Sequence, residues 1–363
     1  MSDEQPPHTP SPEDSDIVVI DKDDTSNYNP DHVLPQSEAT IASIREWLRP
    51  TEYQHESSEY RKHLAFHLEG TGEWLYHSQN YQRWHESSED GLLWIKGVPG
   101  SGKSVVAAKT IHKLSQEEVP VLYFFFRQII DANHRPINLL RDWLDQILPY
   151  SPQLQYTLKS CIDDARLLEN LSIEELWRHL RTALASFPRI YGVVDALDEM
   201  DDGNMLLTSR PTASVETAMR HVKSLDVRVE EKLVDADIVT YVRFCLGETS
   251  ISEVDQRLIR DAVPGRASGL FLYAKLAMKA FLEPGVNIQD TIHKLPLDLN
   301  AMYIGILQEH ARRSGIAEKT QVMILQWVTH ATRPLRLLEL ADILGTAIEG
   351  RDKHTLKANK DLV

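Results

Sequence analysis

The chain has 363 residues, 42% hydrophobic and 26% charged, which is long enough for two or three domains with real cores. Its formal net charge of -15 argues against a broad nucleic-acid-binding face. The densest apolar run, Val119 to Phe126, contains Pro120 and falls far short of the ~20 residues a membrane span needs, while two cysteines, Cys161 and Cys245, suit buried thiols in a reducing, cytoplasmic setting.

Residues 1–40 hold ten Asp/Glu against one Lys and few large apolar residues, which predicts a disordered acidic tail. Within it Ile17-Val18-Val19-Ile20, flanked by Ser15, Asp16, Asp21, Asp23 and Asp24, resembles a SUMO-interacting motif. Such a peptide adds a strand to a sheet edge while its acids meet basic residues on the partner. A stray apolar cluster is the plainer alternative. Residues 41–90 predict a helical lead-in rich in aromatic residues, among them Trp47, Tyr53, Tyr60, Phe66, Trp74, Tyr76, Tyr81 and Trp84. Most of these read as core, and some could stack on a base.

Leu92-Leu93-Trp94-Ile95 reads as a buried strand. It runs into Gly97-Val98-Pro99-Gly100-Ser101-Gly102-Lys103-Ser104, which matches the phosphate-binding pattern G-x-x-x-x-G-K-[ST]. Gly97 and Gly102 let the backbone turn its N–H groups inward, and Lys103 brings positive charge to the β- and γ-phosphates. Ser104 offers a hydroxyl to Mg²⁺, and the helix starting here points its positive end at the anion. Val105, Val106, Ala107, Ala108, Ile111 and Leu114 supply that helix with an apolar face.

Val121 to Phe126 predicts a second buried strand. Pro136 opens a helix with an apolar stripe through Leu140, Trp143, Leu144, Ile147 and Leu148, which Pro149 ends. Ser172-Ile173-Glu174-Glu175 is a capping box before a further helix that closes near Pro188. Strands alternating with helices predict a three-layer α/β/α fold around a parallel sheet. The strand Ile190 to Asp195 then ends in acidic residues, as a Walker B element requires. Asp195 is placed to reach Mg²⁺ beside Ser104, and Asp198 and Glu199 to orient or deprotonate an attacking water. Leu206 to Arg210 reads as another buried strand, with Arg210 at its end as a γ-phosphate contact or a surface turn residue.

Only five residues, Met200 to Asn204, separate Glu199 from Met205. A parallel crossover normally takes about ten to twelve residues or more. The spacing therefore predicts a local defect: a displaced sensor strand, an altered pairing, or exposed apolar sheet. Residues 234–300 predict a helical bundle, with Asp235 as a cap and Ile238, Tyr241, Val242 and Cys245 at helical spacing. Helices are also expected at Gln321 to His330 and Leu337 to Leu344.

Taken together, these residues resemble the NACHT group of STAND ATPases, most closely the nephrocystin-like N-terminal module of fungal NOD-like receptors. Gly97 to Ser104 is similar to the Walker A motif, Asp195-Ala196-Leu197-Asp198-Glu199 to the Walker B, and Thr208-Ser209-Arg210-Pro211 to the sensor-1 strand end. Gly70 to Leu75, Gly269 to Ala274, Leu295 to Leu299 and Thr332 to Leu340 are similar to further segments of those proteins. The resemblance implies an acidic tail (1–40), a lead-in (41–90), a P-loop NTPase domain (91–233, with a deletion near 200–205), a helical domain (234–300) and a partial winged-helix domain (301–363). It also implies an ATP/ADP switch with Mg²⁺, closed around ADP and opened by ATP for self-association or association with full-length receptors. In fungi such switches are linked to non-self recognition and cell death. The short Walker B to sensor-1 spacing and the end of the chain at Val363, with no repeat array, lead to an expectation of a truncated module with slow or impaired hydrolysis. A non-catalytic scaffold that uses its tail to bind SUMO is the alternative. No nucleic-acid or membrane partner is expected.

Overall fold

The computed structural model describes residues 34–87, 91–127, 135–195, 205–210, 216–217, 219–247, 249–331 and 335–348. Ile17 to Ile20, Asp198 and Glu199 lie outside the described residues. The lead-in forms α1 (Glu38–Leu48), α2 (Glu59–Ala65), α3 (Glu73–His77) and α4 (Gln79–Glu86). Then follow β1 (Leu92–Lys96), α5 (Lys103–Leu114), β2 (Val121–Phe125), α6 (Pro136–Ile147), α7 (Pro152–Asp163) and α8 (Ile173–Leu184). Next come β3 (Tyr191–Asp195), β4 (Met205–Ser209) and β5 (Leu225–Arg228). The rest is helical: α9 (Glu231–Gly247), α10 (Glu253–Ala267), α11 (Phe271–Phe281), α12 (Ile288–Lys294), α13 (Leu299–Ser314), α14 (Glu318–His330) and α15 (Leu337–Ile348).

The five strands form one sheet in the order β2-β3-β4-β1-β5, and every pairing is parallel. Side chains alternate across it with period two. Trp94, Leu122, Phe124, Val194 and Leu207 face a core shared with α1, α6, α7 and α8. Leu93, Ile95, Val193 and Leu206 face the other core, with α3, α4 and α5. Both faces are thus covered by helices, which is why these strands read as continuous apolar runs. The α/β phosphate-loop fold read from the sequence is the observed one.

The expected defect at β4 is absent. Val193 pairs with Leu206, Val194 with Leu207 and Asp195 with Thr208, and Leu206, Leu207 and Thr208 are all buried. The reason lies in chain reach. Nine residues connect Asp195 to Met205 and can extend to about 30 Å, whereas returning along a five-residue strand takes only about 17 Å. The faces at β4 are sealed by α5 on one side and the α6–α8 layer on the other, so no dedicated crossover helix is needed to bury them.

Two helix starts also differ from the expected ones. Helix α1 begins at Glu38, inside the expected tail, because Ser37 accepts the Thr40 N–H and caps it while Ile44 and Leu48 bury a face. Helix α9 begins at Glu231, so Asp235 is not its cap; its carboxylate accepts the Gly269 N–H instead (2.9 Å). The C-terminal helices α13–α15 are the only regular elements among the described residues after Asp298, so the described part of the expected winged-helix region contains no strand. Cys161 is a buried free thiol and Cys245 a half-buried one. Among the described residues no helix is long and apolar enough to cross a membrane.

The lead-in is clamped to α6 by two buried acids. Asp142 accepts from the Thr51 N–H (2.6 Å) and hydroxyl (2.5 Å). Asp145 accepts from the Tyr53 hydroxyl (2.5 Å) and pairs with Arg45 (2.9 Å). Burial pushes the Asp142 carboxyl up to about 7, with the bonds from Thr51 opposing the rise. A folded-state value above the unfolded one means the fold favours the protonated acid. This contribution is complete below about pH 4 and lost as pH rises toward 7, at about 1.4 kcal/mol per unit. The melting temperature of Asp142→Asn relative to wild type is therefore expected to rise between pH 4 and 7. A difference that stays flat across that range would show that Asp142 does not titrate there.

Candidate functional site

In a parallel sheet all C-terminal strand ends lie on one edge, and ligands gather there. Here that edge holds the Gly97–Gly102 loop after β1, Asp195 at the end of β3 and Arg210 after β4. Residue pairing keeps them adjacent: Lys96 lies beside Ser209, and Asp195 beside Thr208. The Gly97 N–H donates to the Ser209 carbonyl (3.4 Å), which stitches the loop's start to β4.

The loop's shape follows from its glycines. Gly100 has φ +81°, and a Cβ there would sit 3.0 Å from the Leu272 Cβ. The loop then ends at Gly102 (φ +92°), the N-cap of α5, and the helix N-terminus opens onto it. Lys103 folds its ammonium over the loop, donating to the carbonyls of Gly97 (2.8 Å) and Val98 (2.9 Å). Burial pulls the Lys103 ammonium below its ordinary pKa; Arg210 acts in the same sense and Asp195 against it. The two residues read from separate motifs thus act on Lys103 in one electrostatic field. Asp195 is buried, and the Thr208 hydroxyl donates to its Oδ1, which orients the carboxylate.

Gly100 to Ser104 line a cavity of about 430 Å³. Its other walls come from α2–α3 and from α9 and α11: His63, Phe66, Trp74, Asp237, Phe271 and Leu272 among them. The Leu272 N–H donates to the Gly100 carbonyl (3.2 Å), so the start of α11 sits directly on the loop. Asp237 accepts from the Gly72 N–H (3.0 Å) and the Trp74 indole (3.1 Å), tying α9 to the lead-in. Burial raises the Asp237 carboxyl despite those bonds. Tyr241 and Phe271 pack ring against ring at 5.1 Å. Gly97, Val98 and Pro99 are outside the cavity wall; the first two serve it through the carbonyls that hold Lys103.

Sequence reasoning reached Trp74 as a lead-in aromatic and Phe271 within the Gly269 to Ala274 segment, but it gave no site role to His63, Asp237 or Lys275, which also line the cavity. No local pattern marks them. Their signal is the fold, which brings residues from 63 to 275 around one loop.

The donor set suits Mg²⁺. Among the described residues no group of three His, Cys, Asp or Glu converges on one point. A Mg²⁺ ion on a phosphate chain needs only one or two protein ligands, because phosphate and water supply the rest. A hydroxyl at Ser104 and a carboxylate at Asp195 are ligands of that type.

Residues 70–225 match the family model described as the N-terminal region of nephrocystin 3. The chain is also 25% identical over 334 residues to the vegetative incompatibility protein HET-E-1 of Podospora anserina. These two matches support a NACHT-like module. The alignment covers 82% of this chain but 24% of that protein, so the chain spans about a quarter of its curated relative's length. The solved Walker-type ATPase of Pyrococcus abyssi superposes with a TM-score of 0.40 and 14% identity, over 82% of this chain and 91% of that one. The family match runs from Gly70 through β1, the loop and β3 to the start of β5. The HET-E-1 similarity is the broader of the two sequence matches.

Proposed function

We propose that the chain is a Mg²⁺-dependent ATP/ADP-binding switch module with slow hydrolysis. The observation that carries this reading is the convergence on Lys103: Asp195 and Arg210 act on it from neighbouring strands while Leu272 caps Gly100. On this reading the N–H groups of the loop and the Lys103 ammonium hold the β- and γ-phosphates. Ser104 and Asp195 hold the metal, and Arg210 contacts the γ-phosphate. Asp198 and Glu199 keep their assignment as the water-positioning acids. Magnesium, when bound, neutralises charge on the phosphate oxygens.

A nucleotide held between the loop and α11 contacts both and so biases how they sit together, which is the physical requirement for a switch. The name of the relative suggests the output: a vegetative incompatibility response, reached through self-association or association with longer relatives. The scaffold reading rested in part on an expected break in the sheet, and the continuous β1–β4–β3 pairing removes that part.

The test is titration of ADP and ATP into the full chain, with Mg²⁺ and with a chelator. Wild type is expected to bind both. Asp195→Asn is expected to weaken ATP binding about tenfold in Mg²⁺ and hardly at all in chelator. Equal losses in both conditions would remove Asp195 from the metal site, and a wild type that binds neither nucleotide would end the switch reading.

A further inference from the structure

A fourth strand end reaches the same sheet edge without belonging to any motif. β2 runs into Phe126, whose N–H donates to the Asp195 carbonyl (3.1 Å), so Arg127 follows directly beside the end of β3. The Arg127 guanidinium meets the Glu59 carboxylate at 2.5 Å, and its Nη2 lies 3.5 Å from His63 Nε2. Glu59 and His63 stand one turn apart on α2. Glu59 is a costly residue to bury, with its side chain 6% exposed, and it gathers Lys62 (3.1 Å) and His63 (3.6 Å) as well as Arg127. Burial opposes its charge, but the hydrogen bonds from Lys62 and Arg127 outweigh that and hold the carboxyl below its ordinary range.

His63 connects this cluster to the cavity. Its ring stacks on Phe125 (5.6 Å between centroids, 26° between planes) and forms part of the cavity wall with Gly100 to Ser104. Its electrostatic neighbours include Asp195, Arg127 and Glu59. A contact chain therefore runs from a buried acid on the lead-in helix, through an arginine at the end of β2, to the phosphate edge. A guanidinium suits a carboxylate and a phosphate equally well, because both present paired oxygens. A triphosphate brings more negative charge to this edge than a diphosphate, and so offers Arg127 a competing acceptor.

We propose that Arg127 reads the terminal phosphate of a bound nucleoside triphosphate in competition with Glu59, so that triphosphate binding loosens the tie between α2 and the sheet. This rests on the nucleotide-binding reading above. It adds a second cation to the one at Arg210, and this second cation reports to the lead-in rather than to β4.

The experiment uses the full chain as wild type, Arg127→Gln, Glu59→Gln and Lys103→Ala. ATP and ADP affinities are measured in Mg²⁺, together with amide hydrogen exchange of α2 in each nucleotide. In wild type, α2 is expected to exchange faster with ATP than with ADP. Arg127→Gln should bind ATP about tenfold more weakly and ADP within about twofold of wild type. Glu59→Gln should shift the ATP/ADP ratio the other way, and it gives an independent answer should Arg127→Gln fail to fold. A wild-type ATP/ADP ratio in either folded variant, with wild type binding both nucleotides, overturns the latch and leaves the nucleotide reading standing. A wild type that binds neither overturns both, and Lys103→Ala sets the level of lost binding for comparison.

Discussion

Lys103→Ala is expected to weaken ADP and ATP binding by about a hundredfold. A charge-assisted bond to phosphate at a half-buried site contributes about 1.5–3 kcal/mol, and the upper end of that range is a factor of about a hundred in affinity. The cost falls on binding rather than folding. The Lys103 ammonium donates to the carbonyls of Gly97 and Val98, which belong to its own loop, and among the described residues no hydrogen bond ties it to the cores on either side of the sheet. The melting temperature without nucleotide should therefore move by no more than about 2 °C. Calorimetric titration read beside a thermal melt separates the two effects. Unchanged affinity in a folded Lys103→Ala protein would mean that the loop does not hold phosphate.

The largest stability effect is expected at Gly269, far in sequence from the loop. Its φ is +73°, and a Cβ added there would lie 2.7 Å from the Glu231 Cα. The left-handed conformation costs an L-residue about 1–2 kcal/mol, and the backbone overlap adds about 1–3 kcal/mol. Gly269→Ala should thus destabilise by about 2–5 kcal/mol and lower the melting temperature by about 10 °C. It should also loosen the Gly269 N–H to Asp235 bond and shift the start of α11, which carries Leu272 onto Gly100. Weaker nucleotide binding should accompany the lower melting point. A variant that melts with wild type would show that α9 and α11 have room to move apart.

The two predictions draw on different kinds of legibility. Gly97 to Ser104 could be read directly, because a phosphate loop is built by consecutive residues whose turn, helix start and charge are local properties. The strands β1 and β3 were legible for a similar reason, since burial on both faces leaves an unbroken apolar run. The β4 region was misread because a rule about connection length was applied to a strand whose faces are covered by helices from elsewhere in the chain. Asp235 was misread as a cap because a helix-start residue looks the same whether its carboxylate serves its own helix or, as here, Gly269.

By itself the sequence determined the phosphate loop, the acidic end of β3, the alternation of strands and helices, and hence a parallel sheet with its ligand edge at the strand C-termini. Each of these depends on interactions within a few residues or on simple periodicity. Only the tertiary structure decided that β4 completes the sheet between β1 and β3. It alone seated Leu272 on Gly100, Asp237 on Gly72 and Trp74, and Glu59 on Arg127. Those contacts join residues that are 68 to 172 positions apart. Their energies depend on which surfaces meet once both cores have formed, and no local pattern of residue types encodes that choice.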